Sequence, residues 1–253
     1  MKAIKHAALA TTMAMSAAAA QAETFWTNTS LSYLAGSDYV NPFMPAGTED
    51  EADGSVITFE HAGAYNWGKS FSFIDIIETD NKTINSDETY LEVGVDFSLT
   101  GGKGFQSAVK DIYLVTQLEN GTASVPFTNY LGGIGLRWDV PGFTFFDTNI
   151  YYRNNDLQDD NAQLTVAWGL PFSIGPVAMT FDGFFDYATA TEDAFGDVDD
   201  YFHAQPQLKV DLGNFWNQAN KYYVGVEVDY WQNKFGVKDA DQTAVQAMVQ
   251  INF

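Results

Sequence analysis

The chain has 253 residues, with 33 Asp+Glu against 12 Lys+Arg, a formal net charge of −21 and no cysteine. So acidic a chain argues against nucleic acid as a partner, because a phosphate backbone calls for a basic face. Aromatic residues make up 15%, yet after Ala22 no apolar run approaches the ~18 residues of a membrane-spanning helix.

The first segment reads as a secretory signal. Lys2 and Lys5 give a basic start, Ala7 to Ala20 is uncharged, and Ala20-Gln21-Ala22 supplies small-x-small cleavage chemistry. The expected division is a signal peptide over 1–22 and one domain over 23–253, beginning at Glu23. An exported, aromatic-rich chain without a spanning helix is either a soluble β-protein or a membrane barrel. The absence of cysteine leaves ladder hydrogen bonds and packing to hold it together.

Period-two alternation then marks strand after strand along the mature chain. The predicted strands are 25–36, 55–67, 70–78, 88–99, 109–119, 129–140, 143–155, 160–172, 176–187, 200–212, 220–233 and 242–253. In the second, His61 falls in phase with Ile57 and Phe59, on the outward side. In the third, Asp75 is expected to face inward, since a charge in lipid is costly, and this turns Phe71 and Phe73 inward with it. In the fourth, Leu91, Val93, Val95 and Phe97 alternate with Tyr90, Glu92, Gly94 and Asp96. The same logic points Phe143, Phe145, Asp147, Asn149, Tyr151 and Arg153 inward in the seventh strand. In the ninth it places Phe184 between Asp182 and Asp186, and in the tenth it turns His203 and Lys209 to the same side. In the eleventh, Val224, Val226 and Val228 oppose Glu227 and Asp229. The last strand is the clearest: Thr243, Val245, Ala247, Val249, Ile251 and Phe253 on one face, Gln242, Gln246, Gln250 and Asn252 on the other.

Polar faces that mix acids, amides, glycines and aromatics are those of a barrel lumen. An even count of about 9–11-residue strands fits a transmembrane barrel. The expected fold is therefore all-β, an antiparallel up-and-down barrel of twelve strands in the outer membrane of a Gram-negative bacterium. Loop lengths mostly follow: 37–54, 79–87, 120–128, 156–159, 188–199 and 234–241 on the outer side, and tight turns at 68–69, 141–142 and 173–175 on the inner. The inner connections 100–108 and 213–219 are longer than the pattern asks. Acids crowd the outer loops, with Glu49, Asp50, Glu51 and Asp53 in the first and Glu192, Asp193, Asp197, Asp199 and Asp200 at the fifth. Such loops are either plain solvated surface or a face that binds divalent cations bridging lipopolysaccharide or repels anions. Trp26, Trp67, Trp138, Trp168 and Tyr222 near strand ends suit interfacial girdles.

The chemistry to weigh is binding or catalysis. Only His61 and His203 remain as imidazoles in the mature chain, no Ser sits in a nucleophile elbow, and no metal spacing occurs. No enzyme activity, cofactor or metal is expected. The inward Phe71, Phe73, Asp75, Phe143, Phe145, Tyr151, Arg153, Asp182, Phe184, Asp186, His203 and Lys209 instead form a candidate solute-binding surface. Aromatic faces among carboxylates and amides can stack a flat heterocycle and hydrogen-bond its edge or an attached sugar.

The stretches Ile57–Asp75 (ITFEHAGAYNWGKSFSFID), Asn129–Arg153 (NYLGGIGLRWDVPGFTFFDTNIYYR), Trp168–Tyr187 (WGLPFSIGPVAMTFDGFFDY) and Tyr230–Phe253 resemble the Tsx/OmpK family of nucleoside-specific outer-membrane channels. The resemblance implies a twelve-stranded barrel with several weak nucleoside sites in a narrow lumen, and a role as phage receptor. The terminal Phe253, with its alternation, resembles the signal read by the barrel-assembly machinery. The expected function is a substrate-selective diffusion channel. The rivals are a surface receptor without selective transport and a barrel enzyme acting on envelope lipid.

Overall fold

A computed structural model describes residues 23–42, 51–80, 88–122 and 126–253. The expected signal peptide, and Glu49 and Asp50 of the first outer loop, lie outside the described residues. The chain forms β1 (Thr24–Val40), β2 (Glu51–Tyr65), β3 (Gly68–Thr79), β4 (Glu88–Ser98), β5 (Val109–Gly121), β6 (Phe127–Trp138), β7 (Phe145–Asn154), β8 (Asn161–Ile174) and β9 (Val177–Ala188). A small hairpin, β10 (Thr191–Asp193) and β11 (Gly196–Val198), precedes β12 (Tyr201–Ala204), β13 (Gln207–Asp211), β14 (Tyr222–Gln232) and β15 (Gln242–Asn252).

Each wall strand pairs antiparallel with its neighbours, and β15 returns to β1, from Ser30↔Asn252 to Gly36↔Gln246. The ladder therefore closes, with β12 and β13 sharing one position between β9 and β14, and the wall has twelve staves. Closure leaves no edge whose amides would face hydrocarbon unpaired.

Alternation fixes which side chains face out. Along β15, Gln242, Ala244, Gln246 and Met248 are buried inside, while Thr243, Val245, Ala247 and Val249 are exposed outside. Leu31, Ile57, Phe59, Val93, Leu114, Ile134, Ile150, Leu208 and Val226 continue this apolar exterior around the wall. It is the architecture of an outer-membrane β-barrel. His61 does point outward, where its Nδ1 lies 2.8 Å from Thr29 Oγ1, so its polar ring edge has a partner on the same face.

Several expectations change at the strand ends. Strands β1 and β2 run on past the predicted boundary, so Asp53 belongs to β2 and not to a loop. The tenth stave is interrupted because Pro206 has no N–H for the ladder. The register across the gap is nonetheless continuous, from Ala204↔Phe185 to Gln207↔Asp182, so alternation survives it. Gly183 on β9 makes room there: a Cβ would lie 2.3 Å from the Gln205 carbonyl oxygen. The outer connection after β9 is not plain loop but carries the β10–β11 hairpin. The long inner connection after β13 is a 3-10 turn, Leu212–Trp216. The Asp211 carboxylate caps it, accepting from the backbone N–H groups of Asn214 at 3.2 Å and Asn220 at 2.7 Å.

Because the chain lacks cysteine, one introduced thiol reports one position. The adjacent pair Val226 and Glu227 is the sharpest test: Glu227→Cys is expected to react with a bulky water-soluble thiol reagent in the folded barrel. Val226→Cys, shielded by lipid, is expected to stay unlabelled by mass spectrometry; the reverse pattern would overturn the register.

Candidate functional site: the lumen

The inward faces enclose a continuous cavity of about 1070 Å³. Phe71, Phe73, Asp75, Phe145, Tyr151, Arg153, Asp182, Phe184, Asp186, His203 and Lys209 all line it, as alternation predicts. Phe143 does not. Strand β7 begins only at Phe145, after a turn in which the Phe143 N–H bonds the Val140 carbonyl, and the Phe143 ring packs edge-on against outward Phe146 at 5.5 Å. Alternation has no meaning inside a turn, which is why the parity argument fails there.

Two apolar clusters narrow the lumen from different sides. Leu34, Tyr39, Val56, Ala244 and Met248 pack on the β15–β1–β2 wall. Tyr113, Val115, Leu131 and Tyr151 pack on the β5–β6–β7 wall. In a twelve-stave wall these regions lie opposite one another.

Between them stand two rows of rings. On β3, β4 and β6, Phe71, Phe73, Tyr90 and Phe127 follow each other with centroid separations of 5.8, 5.8 and 6.4 Å. Phe71 points inward yet stays 41% exposed, so its face is open to the cavity. Across the lumen, six staves away, Phe184 on β9 meets the His203 ring edge-on at 5.3 Å. His203 stacks on Trp231 at 3.7 Å and 12°, and Phe235 and Tyr201 extend this second group. The His203 Nε2 lies 3.1 Å from Asp229 Oδ1, which fixes the ring's rotation.

The ionic groups are unequal. Lys69 pairs with Asp147 at 2.6 Å and Asp96 at 3.3 Å while lying over the Tyr113 ring at 4.7 Å. Arg137 joins Asp147 at 3.0 Å, Arg153 joins Glu119 at 2.7 Å, and Lys209 joins Asp182 at 2.8 Å. Every cation on the lumen strands among the described residues thus has a carboxylate. Glu60, Asp75, Glu92 and Glu227 also line the cavity and have no such ion pair within 4 Å among the described residues. Hydrogen bonds hold three of them instead: Thr58 to Asp75 at 2.6 Å, Tyr90 and Gln117 to Glu92 at 2.6 and 2.9 Å, and Gln207 and Gln246 to Glu227 at 2.5 and 3.0 Å.

The outer mouth is partly roofed. Lys234, in the loop before β15, donates to the Val40 carbonyl at 3.1 Å and Gln242 Oε1 at 2.7 Å, tying that loop to the ends of β1 and β15. Burial pushes its pKa below the ordinary lysine value, against the opposing pull of Asp229 and Glu88. Lys69, Tyr90, Glu119, Tyr201 and Trp231 were not singled out from the sequence. Lys69 and Tyr201 are in phase with Phe71 and His203, and strict extension of the alternation by one step would have found both.

No family model and no curated protein sequence matches the chain. Among solved structures it is similar to a KdgM porin, at 12% identity and a TM-score of 0.48, over 88% of this chain and 99% of that one. It is also similar to the translocator domain of autotransporter NalP from Neisseria meningitidis, at 10% identity and 0.46, over 100% and 97% of the two chains. OccK11 (OpdR) from Pseudomonas aeruginosa follows at 6% and 0.44, over 90% and 95%. These likenesses concern the barrel alone.

Asp147 holds two cations at the inner end and its side chain is only 8% exposed. Asp147→Asn leaves Lys69 with Asp96 and Arg137 with no carboxylate within 4 Å among the described residues, and the expected loss is on the order of 3 kcal/mol. Denaturant unfolding of the refolded barrel measures it, and an unchanged midpoint would show that lumen water already solvates these cations.

Proposed function

We propose that the chain is a passive, substrate-selective diffusion channel for nucleosides, as the resemblance to the Tsx/OmpK family implies. The observation that carries the reading is the pair of aromatic rows facing each other across a continuous lumen. Rings about 6 Å apart offer a flat base successive stacking faces, each weak enough to leave. The amide, hydroxyl and carboxyl groups beside them, among them those of Gln117, Thr165, Glu92 and Asp186, supply partners for sugar hydroxyls.

Electrostatics supports a neutral solute. Each strand cation among the described residues is already tied to a carboxylate. A phosphate, which needs a cationic partner to leave water, finds no unpaired one on these strands, whereas a neutral nucleoside needs none. The exposed Phe253, whose N–H bonds the Thr29 carbonyl at 2.9 Å, leaves its ring free for the assembly machinery. A second reading, a receptor for a phage or another surface partner, draws on Phe195, 98% exposed in the acidic β10–β11 hairpin.

Nucleosides are expected to cross liposomes containing the protein faster than their monophosphates. In planar bilayers, Phe73→Ala and Phe184→Ala should each weaken nucleoside block of the ion current. Loss of one stacking contact, about 1 kcal/mol, corresponds to roughly fivefold in affinity. Equal flux of nucleoside and nucleotide, with block unchanged in the double variant, would leave a general pore or a receptor.

A further inference from the structure

We propose that Arg153 sets the aperture of the channel, its guanidinium forming a crossbar between Glu119 and Tyr201 in the outer half of the lumen. The bar goes beyond solute binding but rests on the reading of the barrel as a conducting channel.

The argument begins with topology. Glu119 is on β5 and Tyr201 on β12, five steps apart around the wall, or roughly 24 Å along it at the usual strand spacing. Two residues so placed can be joined by one side chain only through the interior. Arg153, on β7 between them, does this: Nη2 donates to Glu119 Oε2 at 2.7 Å and Nη1 donates to the Tyr201 hydroxyl. Its Cζ also lies 5.7 Å from the Tyr201 ring centroid. The Lys209–Asp182 and Arg137–Asp147 pairs join neighbouring strands and so run along the wall. Lys69–Asp147 spans more of the wall, but it lies over Tyr113 in the packed β5–β7 cluster.

Both ends of the bar are anchored. Asn129 Nδ2 donates to Glu119 Oε2 at 3.1 Å, and its Oδ1 accepts the Asp156 N–H at 3.1 Å. Tyr201 rests against Trp231 at 5.7 Å, and Trp231 is itself stacked on His203. The Arg153 and Glu119 side chains are 6% and 5% exposed, although they stand in a lumen. A planar guanidinium donating to acceptors on two staves loses the freedom to fold back against the wall. Ions and solutes must pass to one side of it.

The test is single-channel conductance in potassium chloride without nucleoside, together with the polyethylene-glycol size at which the current ceases to fall. Arg153→Ala is expected to raise conductance roughly twofold and to shift the exclusion limit to larger polymers. Arg153→Lys keeps the charge and loses the two-ended reach, and is expected to fall between. Should Arg153→Ala fail to assemble because Glu119 is left unpaired, Arg153→Ala/Glu119→Gln removes both charges and makes the same measurement. Folded variants with unchanged conductance and exclusion limit would overturn the crossbar while leaving nucleoside block as an independent readout. A wild-type barrel that carries no current would overturn the channel reading and the crossbar with it.

Discussion

Hydrocarbon offers the backbone no hydrogen-bond partner, so the β1–β15 ladder that closes the wall is the constraint from which the rest follows. Once the wall is closed, the period of two leaves no choice about the side chains. Those next to lipid must be apolar, and every charge must find a place inside. The twelve-stave circumference then limits the interior, and opposed side chains meet across it. Tight packing near Leu34 and Met248 on one side and Val115 and Leu131 on the other follows from this crowding.

Crowding charge into a narrow tube has an electrostatic cost, which the lumen meets in two ways. Cations are matched to carboxylates, as in the Lys69, Asp147 and Arg137 group. Surplus acids are held by neutral donors such as Thr58, Tyr90 and Gln246. The first device leaves no strand cation among the described residues unpaired to attract phosphate; the second satisfies carboxyls that have no cation beside them. Selectivity in the proposed channel thus comes from how the charges are paired as much as from how many there are.

In the proposed channel the rings add a separate axis of discrimination. His203 is instructive because it serves three neighbours at once: it stacks on Trp231, meets the edge of Phe184 and bonds Asp229. A residue so held presents fixed geometry to a solute, and the opposing Phe71–Phe73–Tyr90 row presents a second surface at a distance set by the wall.

The sequence by itself determined the strands, the side taken by residues within them and the acidic composition of the interior, because alternation is a local property with a period of two. Val226 against Glu227, and Phe73 against Ile74, were readable without any knowledge of neighbours. Alternation could not place Phe143, since a turn interrupts the pleat, nor show that Pro206 would break a stave without shifting its register. Only the tertiary structure decided which inward groups meet. Arg153, Glu119 and Tyr201 lie on three strands that do not pair with one another, so their contact depends on the curvature and width of the closed wall. Alternation assigns a side to a residue; closure sets which residues on that side come within reach of each other.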